Sequence, residues 1–314
     1  MIRFIAKRLL FAVFTIWAIA TVTFFMAYLA PGDPALIKFG EHSAPAAVQA
    51  WRHLHGLDLP AVPRYLRYMS SMLHGDLGTS FTNDQPIGAY LLTRFPVTAL
   101  LAATAISLAL FVGCAIGIAA SRKPDGWLDR TLMAIVLTGI GVPNFVLAPV
   151  LILVFALRLG WLPVAGWGSP QYIVLPAIVL AARPMALIGR MVRASMIDTL
   201  HQDYIRTARA KGLSPGRIIF VHALKNAFLP ALTTAGVSFG YLLSGSFVVE
   251  TIFAIPGVGK ASFDSFTQRD YPMIQAITIL LASIFVIVNL IVDLLYAALD
   301  PRARVSEAAK PEPA

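Results

Sequence analysis

Residues Phe95–Ser121 read FPVTALLAATAISLALFVGCAIGIAAS, and this stretch contains no Asp, Glu, Lys or Arg. It is longer than the ~20 apolar residues that an α-helix needs to cross ~30 Å of hydrocarbon. A helix is the expected form there, because it satisfies its own backbone hydrogen bonds where lipid offers no partners. The stretch therefore predicts a membrane-spanning helix.

Five further stretches of comparable length are also free of charged residues. The chain is therefore expected to be an all-α polytopic membrane protein with six transmembrane helices. One of the five opens with a Gly-, Trp- and Pro-rich loop, so its helix is expected to run from about Gln171 to Gly189. The five stretches are Leu9–Gly32, Thr131–Leu157, Leu159–Ala182, Asn226–Val249 and Tyr271–Val292.

The composition excludes a water-soluble protein. Hydrophobic residues make up 58% of the chain and charged residues only 13%, whereas soluble chains carry about 25% charged residues. The net charge of +9 does not indicate a nucleic-acid binder, because the basic residues are spread through the gaps between apolar stretches instead of forming one patch. The single cysteine, Cys114, rules out a disulfide within the chain, and we expect it to be a packing residue.

The distribution of lysine and arginine predicts that both termini are cytoplasmic. With the N-terminus inside, 16 of the 25 basic residues lie in cytoplasmic segments and 8 lie outside, as the positive-inside rule requires. The first apolar stretch exceeds the 7–15 residues typical of a signal peptide, so we expect it to be retained as a helix. The long outer segment should contain a short helix near Pro45–His55.

These assignments divide the chain into four parts. The predicted parts are an N-terminal segment with the first helix (1–30), an extracytoplasmic loop (31–94), a five-helix core (95–300) containing a cytoplasmic loop (190–225), and a cytoplasmic tail (301–314).

The cytoplasmic loop contains a short element with helix signals at both ends. Asp203–Gly212 reads DYIRTARAKG, and Ile205 and Ala208 share one face at helical spacing. Gly212 suits the left-handed position that ends a helix. A Ser-Pro pair at 214–215 fits the start of the next helix, which leads into the fifth span. The sequence therefore predicts a helix, a glycine stop and a second helix.

The residues alone leave two roles open for this element. It is either an ordinary basic loop that follows the positive-inside rule or anchors to lipid headgroups, or a helix that fits a groove on a cytoplasmic partner. Composition does not separate the two.

Asp203–Gly212, with its continuation to Pro230, resembles the cytoplasmic signature of the binding-protein-dependent ABC importer permeases. The wider family has Glu-Ala-Ala where this chain has Arg206–Ala208, and proline where it has Lys225. Both departures are usual in the dipeptide/oligopeptide/nickel subfamily. Further motifs of that subfamily, individually weak, follow in family order; they are PGDP (31–34), GDLGTSF (75–81), GWLP (160–163), ETIF (250–253), PGVG (256–259), RDYP (269–272) and DPR (300–302).

The resemblance implies a type I ABC importer permease of the cytoplasmic (inner) membrane. PGDP and GDLG resemble the B-type subunit, which implies a homologous C-type permease, two cytoplasmic ATPases and an extracytoplasmic substrate-binding protein as partners, besides membrane lipid. ATP and Mg²⁺ would bind to the ATPases, and this chain would be no enzyme and hold no cofactor. The substrate implied is a dipeptide or oligopeptide, although nickel chelates and other solutes are carried in the subfamily. The implied ATPase-docking residues are Asp203, Tyr204, Arg206, Thr207, Ala208, Arg209, Ala210, Lys211 and Gly212.

Three ionisable residues fall at or near membrane depth: Arg183, Glu250 and Asp293. Charges in lipid are costly and are usually paired or functional. We therefore expect either a structural role or a place along the substrate pathway for each of them.

Other chemical motifs are incomplete. Ala254–Ala261 approaches a phosphate-binding loop, but Ala261 stands where Ser or Thr must reach Mg²⁺. His53 and His55 lack a ligand cluster at metal-binding spacing, so neither a metal site nor a catalytic residue is expected.

Two other classes of function remain for comparison. An ion-gradient-driven secondary transporter or channel would place acidic or polar residues at the midplane on broken helices, and few acidic residues lie there. A passive membrane scaffold would show no dependence of uptake on the cytoplasmic loop.

Overall fold

The computed structural model describes residues 2–40 and 43–299, and this part of the chain is helical with no β-strand. The predicted cytoplasmic tail, 301–314, lies outside the described residues. The helices are α1 (Ile2–Leu29), α2 (Pro34–Phe39), α3 (Pro45–Leu54), α4 (Ala61–Leu73), α5 (Ile87–Ser121), α6 (Trp127–Gly141), α7 (Asn144–Leu151), α8 (Gln171–Leu200), α9 (Asp203–Ala210), α10 (Pro215–Arg217), α11 (Leu224–Gly245), α12 (Phe247–Ile252), α13 (Val258–Thr267) and α14 (Tyr271–Leu299), with π-helical turns at Ile152–Arg158 and Ile218–Ala223.

Five of the helical stretches are long and apolar enough to cross a membrane as single helices, and a bent helix pair makes a sixth when its two arms are counted as one span. The all-α, six-span prediction is therefore confirmed. The five single stretches are Ala6–Leu29, Ile87–Ser121, Gln171–Leu200, Pro215–Ser244 and Tyr271–Leu294.

The prediction of one continuous span over Thr131–Leu157 is wrong in detail. The chain bends by 108° between Trp127–Gly141 and Asn144–Arg158. The break falls at Val142, whose backbone is extended (φ −88°, ψ 117°). Val142 precedes Pro143, and the proline ring disfavours the helical conformation of the residue before it.

The fourth long helix also extends further than the sequence predicts. It was expected to end near Gly189, but α8 continues to Leu200. Val192, Met196 and Thr199 are buried along this extension, and their spacing keeps one face of the helix packed. Of the predicted loop 190–225, only residues 201–214 lie between the two long helical stretches. The division into segments otherwise stays a prediction.

One compact unit contains the chain up to Thr98 together with Pro256–Ile284. A buried carboxylate organises its loops: Asp270 accepts hydrogen bonds from the Ser80 hydroxyl and from the Phe81 backbone N–H. The short helix predicted near Pro45–His55 is confirmed as α3. Within its described residues, small hydrophobic cores are built from Ala35, Val48, Trp51 and Phe81, and from Ile87, Leu91, Val258, Ala261, Met273, Ala276 and Ile277.

The other unit contains Ala99–Ile255 together with the chain from Phe285. Here α5 approaches α8 closely enough to require glycine. A Cβ at Gly117 would lie 2.7 Å from the Gly189 carbonyl oxygen, and one at Gly113 would lie 2.8 Å from the Met185 carbonyl oxygen. Small residues four apart allow such contact between membrane helices, where packing drives association because lipid is as apolar as the side chains.

Candidate functional site

The element between α8 and the fifth span is a separate two-turn helix, as the sequence predicts. It begins after Gln202, whose backbone is extended, and its last residue is Ala210. Gly212 follows with φ +72°. The Leu213 N–H donates to the Ala208 carbonyl (3.3 Å) and the Gly212 N–H donates to the Arg209 carbonyl (3.0 Å). This pair of bonds defines a Schellman motif, which satisfies the last carbonyls of the helix.

The two faces of α9 differ completely in exposure. Ile205 and Ala208 are buried, so they hold the helix on the rest of its unit. Every other residue of the element is exposed, and Arg206, Arg209 and Lys211 make this outer surface cationic. Arg206 lies 3.4 Å from Asp203, one turn away. Such an exposed pair contributes little to stability, so it does not fix the surface in place.

A side-chain hydrogen bond joins α9 to the fifth span. The Asn226 amide nitrogen donates to the Tyr204 hydroxyl at 2.8 Å. Tyr204 and Asn226 both fall within the family signature and its continuation, but a contact between them was not predicted. The two residues are 22 positions apart, and no local pattern in the sequence pairs them.

The helix α8 also lines a cavity of its unit. This cavity, about 880 Å³ in volume, lies between α8 and α11. Arg183 is the one charged side chain of its wall and has no carboxylate within ion-pair distance in the described part of the chain. The remaining lining residues are Asn144, Leu180, Pro184, Leu187, Met191, Pro230, Thr233, Thr234, Val237, Ser238, Tyr241 and Leu242.

The other two ionisable candidates do not line this cavity. Glu250 is fully buried in α12, where its carboxylate accepts a hydrogen bond of 2.7 Å from the Ser246 hydroxyl. Asp293 is half-buried on α14. Of the three ionisable candidates, only Arg183 lies in the wall of this cavity.

An ion pair that the sequence did not predict joins α6 to α8. The Arg193 guanidinium donates two hydrogen bonds of 2.6 Å to the Asp129 carboxylate. Asp129 also accepts from the Asp125 backbone N–H at 2.8 Å. In the sequence, Arg193 is only one of the basic residues that predict the orientation. A bidentate pair of this kind is stronger and more directional than a single charge contact.

Side chains of the two incomplete motifs, the near phosphate-binding loop and the histidine pair, have ordinary structural partners. Lys260, in the stretch that approaches a phosphate-binding loop, donates to Asp264 one turn along α13 at 2.7 Å. His53 contacts Asp58 at 2.7 Å, and this hydrogen bond lowers the pKa of the Asp58 carboxyl.

Comparison with known proteins agrees with this architecture over nearly the whole chain. Residues 109–305 match the family described as binding-protein-dependent transport system inner membrane component, and residues 1–102 match its N-terminal family. The glutathione transport system permease protein GsiC of Salmonella paratyphi A is 40% identical over 97% of this chain and 99% of its own length. GsiC of Escherichia coli K12 is similar to the same extent.

Solved structures support the fold alone, because their sequences are distant. A chain of the inward-facing MetNI methionine ABC transporter has a TM-score of 0.59 at 20% identity, and the match covers 69% of this chain and 99% of that one. A chain of an amino acid ABC transporter has a TM-score of 0.50 at 18% identity, with coverages of 68% and 94%.

The class of protein is a transport permease, because the chain has six helical spans, an exposed two-turn helix between two of them, and these relatives. The chain belongs to the binding-protein-dependent ABC importer permeases, in the dipeptide/oligopeptide/nickel subfamily. It is a multi-pass protein of the inner membrane and not an enzyme. The predicted family, fold class and localisation are therefore confirmed.

Proposed function

We propose that this chain is the B-type permease subunit of an importer for short peptides, driven by ATP. It would form half of the pathway with a homologous C-type permease, receive substrate from an extracytoplasmic binding protein, and couple to two cytoplasmic ATPases that bind ATP and Mg²⁺. The observation that carries this proposal is α9, an exposed cationic helix anchored by two buried side chains and ended by a fixed glycine turn.

The ATPases dock, in this proposal, on the exposed side of Asp203–Gly212. A lipid-headgroup anchor needs only positive charge and has no use for a rigid end. Here the Schellman motif determines where the helix stops, and Ile205 and Ala208 determine its rotation. A defined shape is what a protein groove recognises. The docking surface consists of Asp203, Tyr204, Arg206, Thr207, Arg209, Ala210, Lys211 and Gly212, with Ala208 on the inner face.

The same element is connected to α8 and α11, which supply most of the cavity wall. It follows α8 after two residues, and Tyr204 bonds to Asn226 near the start of α11. A displacement of α9 by the ATPases would therefore act on α8 and α11 together and change the cavity between them. This is the physical form of a coupling free energy between the ATP state and the conformation of the permease.

The cavity is the proposed half-pathway, with Arg183 as its contact for a substrate carboxylate. The GsiC relatives are named for glutathione transport, and glutathione is itself a tripeptide with two carboxylates. Every free peptide ends in a carboxylate, which a guanidinium binds with paired hydrogen bonds. Glu250 is given a structural role, since it is buried and bonded to Ser246, and we assign Asp293 the same role.

Two valine substitutions test the docking proposal. Gly212 and Gly216 both have open space where a Cβ would go, but only Gly212 has a positive φ. Gly212→Val should therefore force the end of α9 out of shape, since a β-branched residue is strongly disfavoured there, whereas Gly216→Val should not. We expect Gly212→Val to lose peptide uptake and ATPase co-purification at normal membrane insertion, with Gly216→Val retaining both. Full uptake and a bound ATPase in Gly212→Val would refute docking at α9.

The energy source separates this function from an ion-gradient-driven transporter. A reconstituted complex containing this chain should import glutathione or a dipeptide only when ATP is present on the membrane side that holds the ATPases. A protonophore should leave this uptake unchanged. Import by this chain alone, abolished by the protonophore, would instead support a secondary transporter.

A further inference from the structure

The helix α4 contacts α1 inside the candidate membrane span, several residues before the C-terminal end of α1. The Thr21 hydroxyl donates to the Trp17 carbonyl at 2.8 Å, so in its 2.8 Å contact with Tyr65 the tyrosine O–H is the donor. The Tyr65 ring also stacks on Phe25 with centroids 5.7 Å apart. Thr21 and Phe25 both belong to the candidate membrane span Ala6–Leu29. One side of α4 is therefore fixed to a transmembrane helix.

This contact determines the depth of α4. Thr21 precedes Leu29 by eight residues, which is ~12 Å along a helix axis, and the hydrocarbon core is ~30 Å thick. The second tyrosine of α4, Tyr68, packs against Phe24 at 5.3 Å between ring centroids. This side of α4 is partly buried, and the burial raises the pKa of Tyr68 to about 12.

A different side of α4 carries an exposed apolar row. Val62, Leu66 and Leu73 are 67%, 61% and 80% exposed. Their spacing of four and seven residues puts them on one face of a helix. At 13 residues, α4 is too short to cross a bilayer. Its cationic residues, Arg64 and Arg67, occupy other positions around the helix.

We propose that α4 is an interfacial helix whose Val62–Leu66–Leu73 face lies in the lipid leaflet at the C-terminal end of α1. Lipid is the occupant because Tyr65 of α4 contacts Thr21 inside the candidate span of α1, where Val22 and Met26 of α1 are themselves exposed. A short helix with an apolar row, aromatic side chains and arginines elsewhere is typical of helices that lie 5–10 Å deep in the headgroup boundary.

This position has a consequence for the extracytoplasmic segment 31–94. Arg64, Tyr68 and Met72 of α4 line a cavity of about 340 Å³ in the same unit. If lipid holds α4 at a fixed depth, it also holds this cavity and the adjoining loop at the membrane surface. The segment then behaves as a platform on the bilayer and not as a loop free in solution.

Site-directed spin labelling tests the depth of α4. Single cysteines replace Leu66 and, as the matched control on the same helix, Arg67, in a Cys114→Ala background; Val62 is a second test site should the Leu66 variant not insert. The labelled chain, alone and in the assembled importer, is placed in nanodiscs, and collision rates with oxygen and with a water-soluble nickel reagent are measured. We expect the oxygen-to-nickel ratio to be several-fold higher at Leu66 than at Arg67 in both samples.

Two results would overturn the proposal. Equal nickel accessibility at Leu66 and Arg67 would place the apolar row in water. Exclusion of both reagents from Leu66 in the assembled importer, but not in the chain alone, would show that a protein partner covers the row instead of lipid. Neither result depends on whether α9 docks an ATPase, so this test is independent of the proposed function.

Discussion

The Asn226 side-chain amide donates a hydrogen bond of 2.8 Å to the Tyr204 hydroxyl, and this bond joins the second residue of α9 to the third residue of α11. Ile205, the next residue of α9, is fully buried. The short helix is thus held at one point by apolar packing and at another by a directional polar contact. In the proposed coupling, this double attachment would transmit a displacement of α9 to α11.

Loss of the Tyr204 hydroxyl should weaken this connection without unfolding the helix. Because an exposed neutral hydrogen bond contributes only about 0.5–1.5 kcal/mol, we expect Tyr204→Phe to reduce coupled peptide uptake by a few-fold, not to abolish it. Asn226→Ala should have the same effect, and the double variant should be no worse than either single one. Uptake per ATP hydrolysed measures this; simple addition of the two effects would show that the bond carries no coupling.

The charges on the outer face of α9 should control association with the ATPases in a salt-dependent way. Arg206→Glu and Arg209→Glu reverse charges that are exposed at the proposed docking rim. Rim charges mainly change association rates and their dependence on salt. We expect weaker ATPase co-purification, more so at low than at high ionic strength. Arg217→Glu, on the exposed side of α10, is the control; an equal effect there would indicate general electrostatics and no defined docking surface.

Removal of the Arg183 charge should impair transport of substrates that carry a carboxylate. A hydrogen bond to a charged group is worth about 1.5–3 kcal/mol, so Arg183→Gln should lower glutathione uptake at limiting substrate by roughly tenfold or more. Arg183→Lys should retain part of it. Arg190→Gln, on the same helix but away from the cavity, should behave as wild type. Unchanged uptake in Arg183→Gln would remove this residue from the pathway.

The orientation of the chain stays a prediction that labelling can check. Thr82 and Ser214 are both exposed, and the charge distribution places Thr82 outside and Ser214 in the cytoplasm. In a Cys114→Ala background, Thr82→Cys should react with an impermeant thiol reagent in cells with a permeable outer envelope, and Ser214→Cys should react only after lysis. The opposite pattern would reverse the topology.

Local signals explain what the sequence predicted well. Apolar length alone identifies the spans, and α9 could be predicted residue by residue because its stop depends on one position, Gly212, whose φ of +72° suits glycine. The bend at Val142 was also a local signal, a Val-Pro step inside an apolar stretch, but apolar length masked it. A proline in a membrane helix is often tolerated, so the sequence did not show that this one breaks the span.

Non-local contacts account for what was missed. Asp129 and Arg193 are 64 positions apart, and only the packing of α6 on α8 brings them together. Arg193 also fits the positive-inside pattern on its own, so nothing in the sequence called for a partner. The same holds for Tyr204 and Asn226. Contacts of this kind depend on which helices become neighbours, and apolar stretches of similar composition do not specify their neighbours.

The Asp129–Arg193 pair should stabilise the packing of α6 against α8. The Asp129 side chain is 2% exposed and that of Arg193 is 25% exposed, so loss of the carboxylate leaves a largely desolvated guanidinium without its partner. Because Arg193 retains some contact with water, we expect Asp129→Asn to cost about 1–3 kcal/mol and to lower the Tm of the purified chain. Asparagine keeps the size of the side chain, so the loss would report the charge and not a cavity.

The neighbouring Asp125 provides a matched control for this experiment. Its carboxylate is 3.9 Å from Arg193 and 88% exposed, so Asp125→Asn removes the same charge with little effect on stability. Asparagine also tolerates the positive φ of 62° at this position. The exchange variant Asp129→Arg with Arg193→Asp should recover part of the Tm that either single change loses. Equal Tm values for Asp129→Asn and Asp125→Asn would show that the Asp129–Arg193 pair contributes no more than a surface contact. The junction between α6 and α8 would then rest on the close backbone packing at Gly139, where an added Cβ would lie 3.0 Å from the Ala182 carbonyl oxygen.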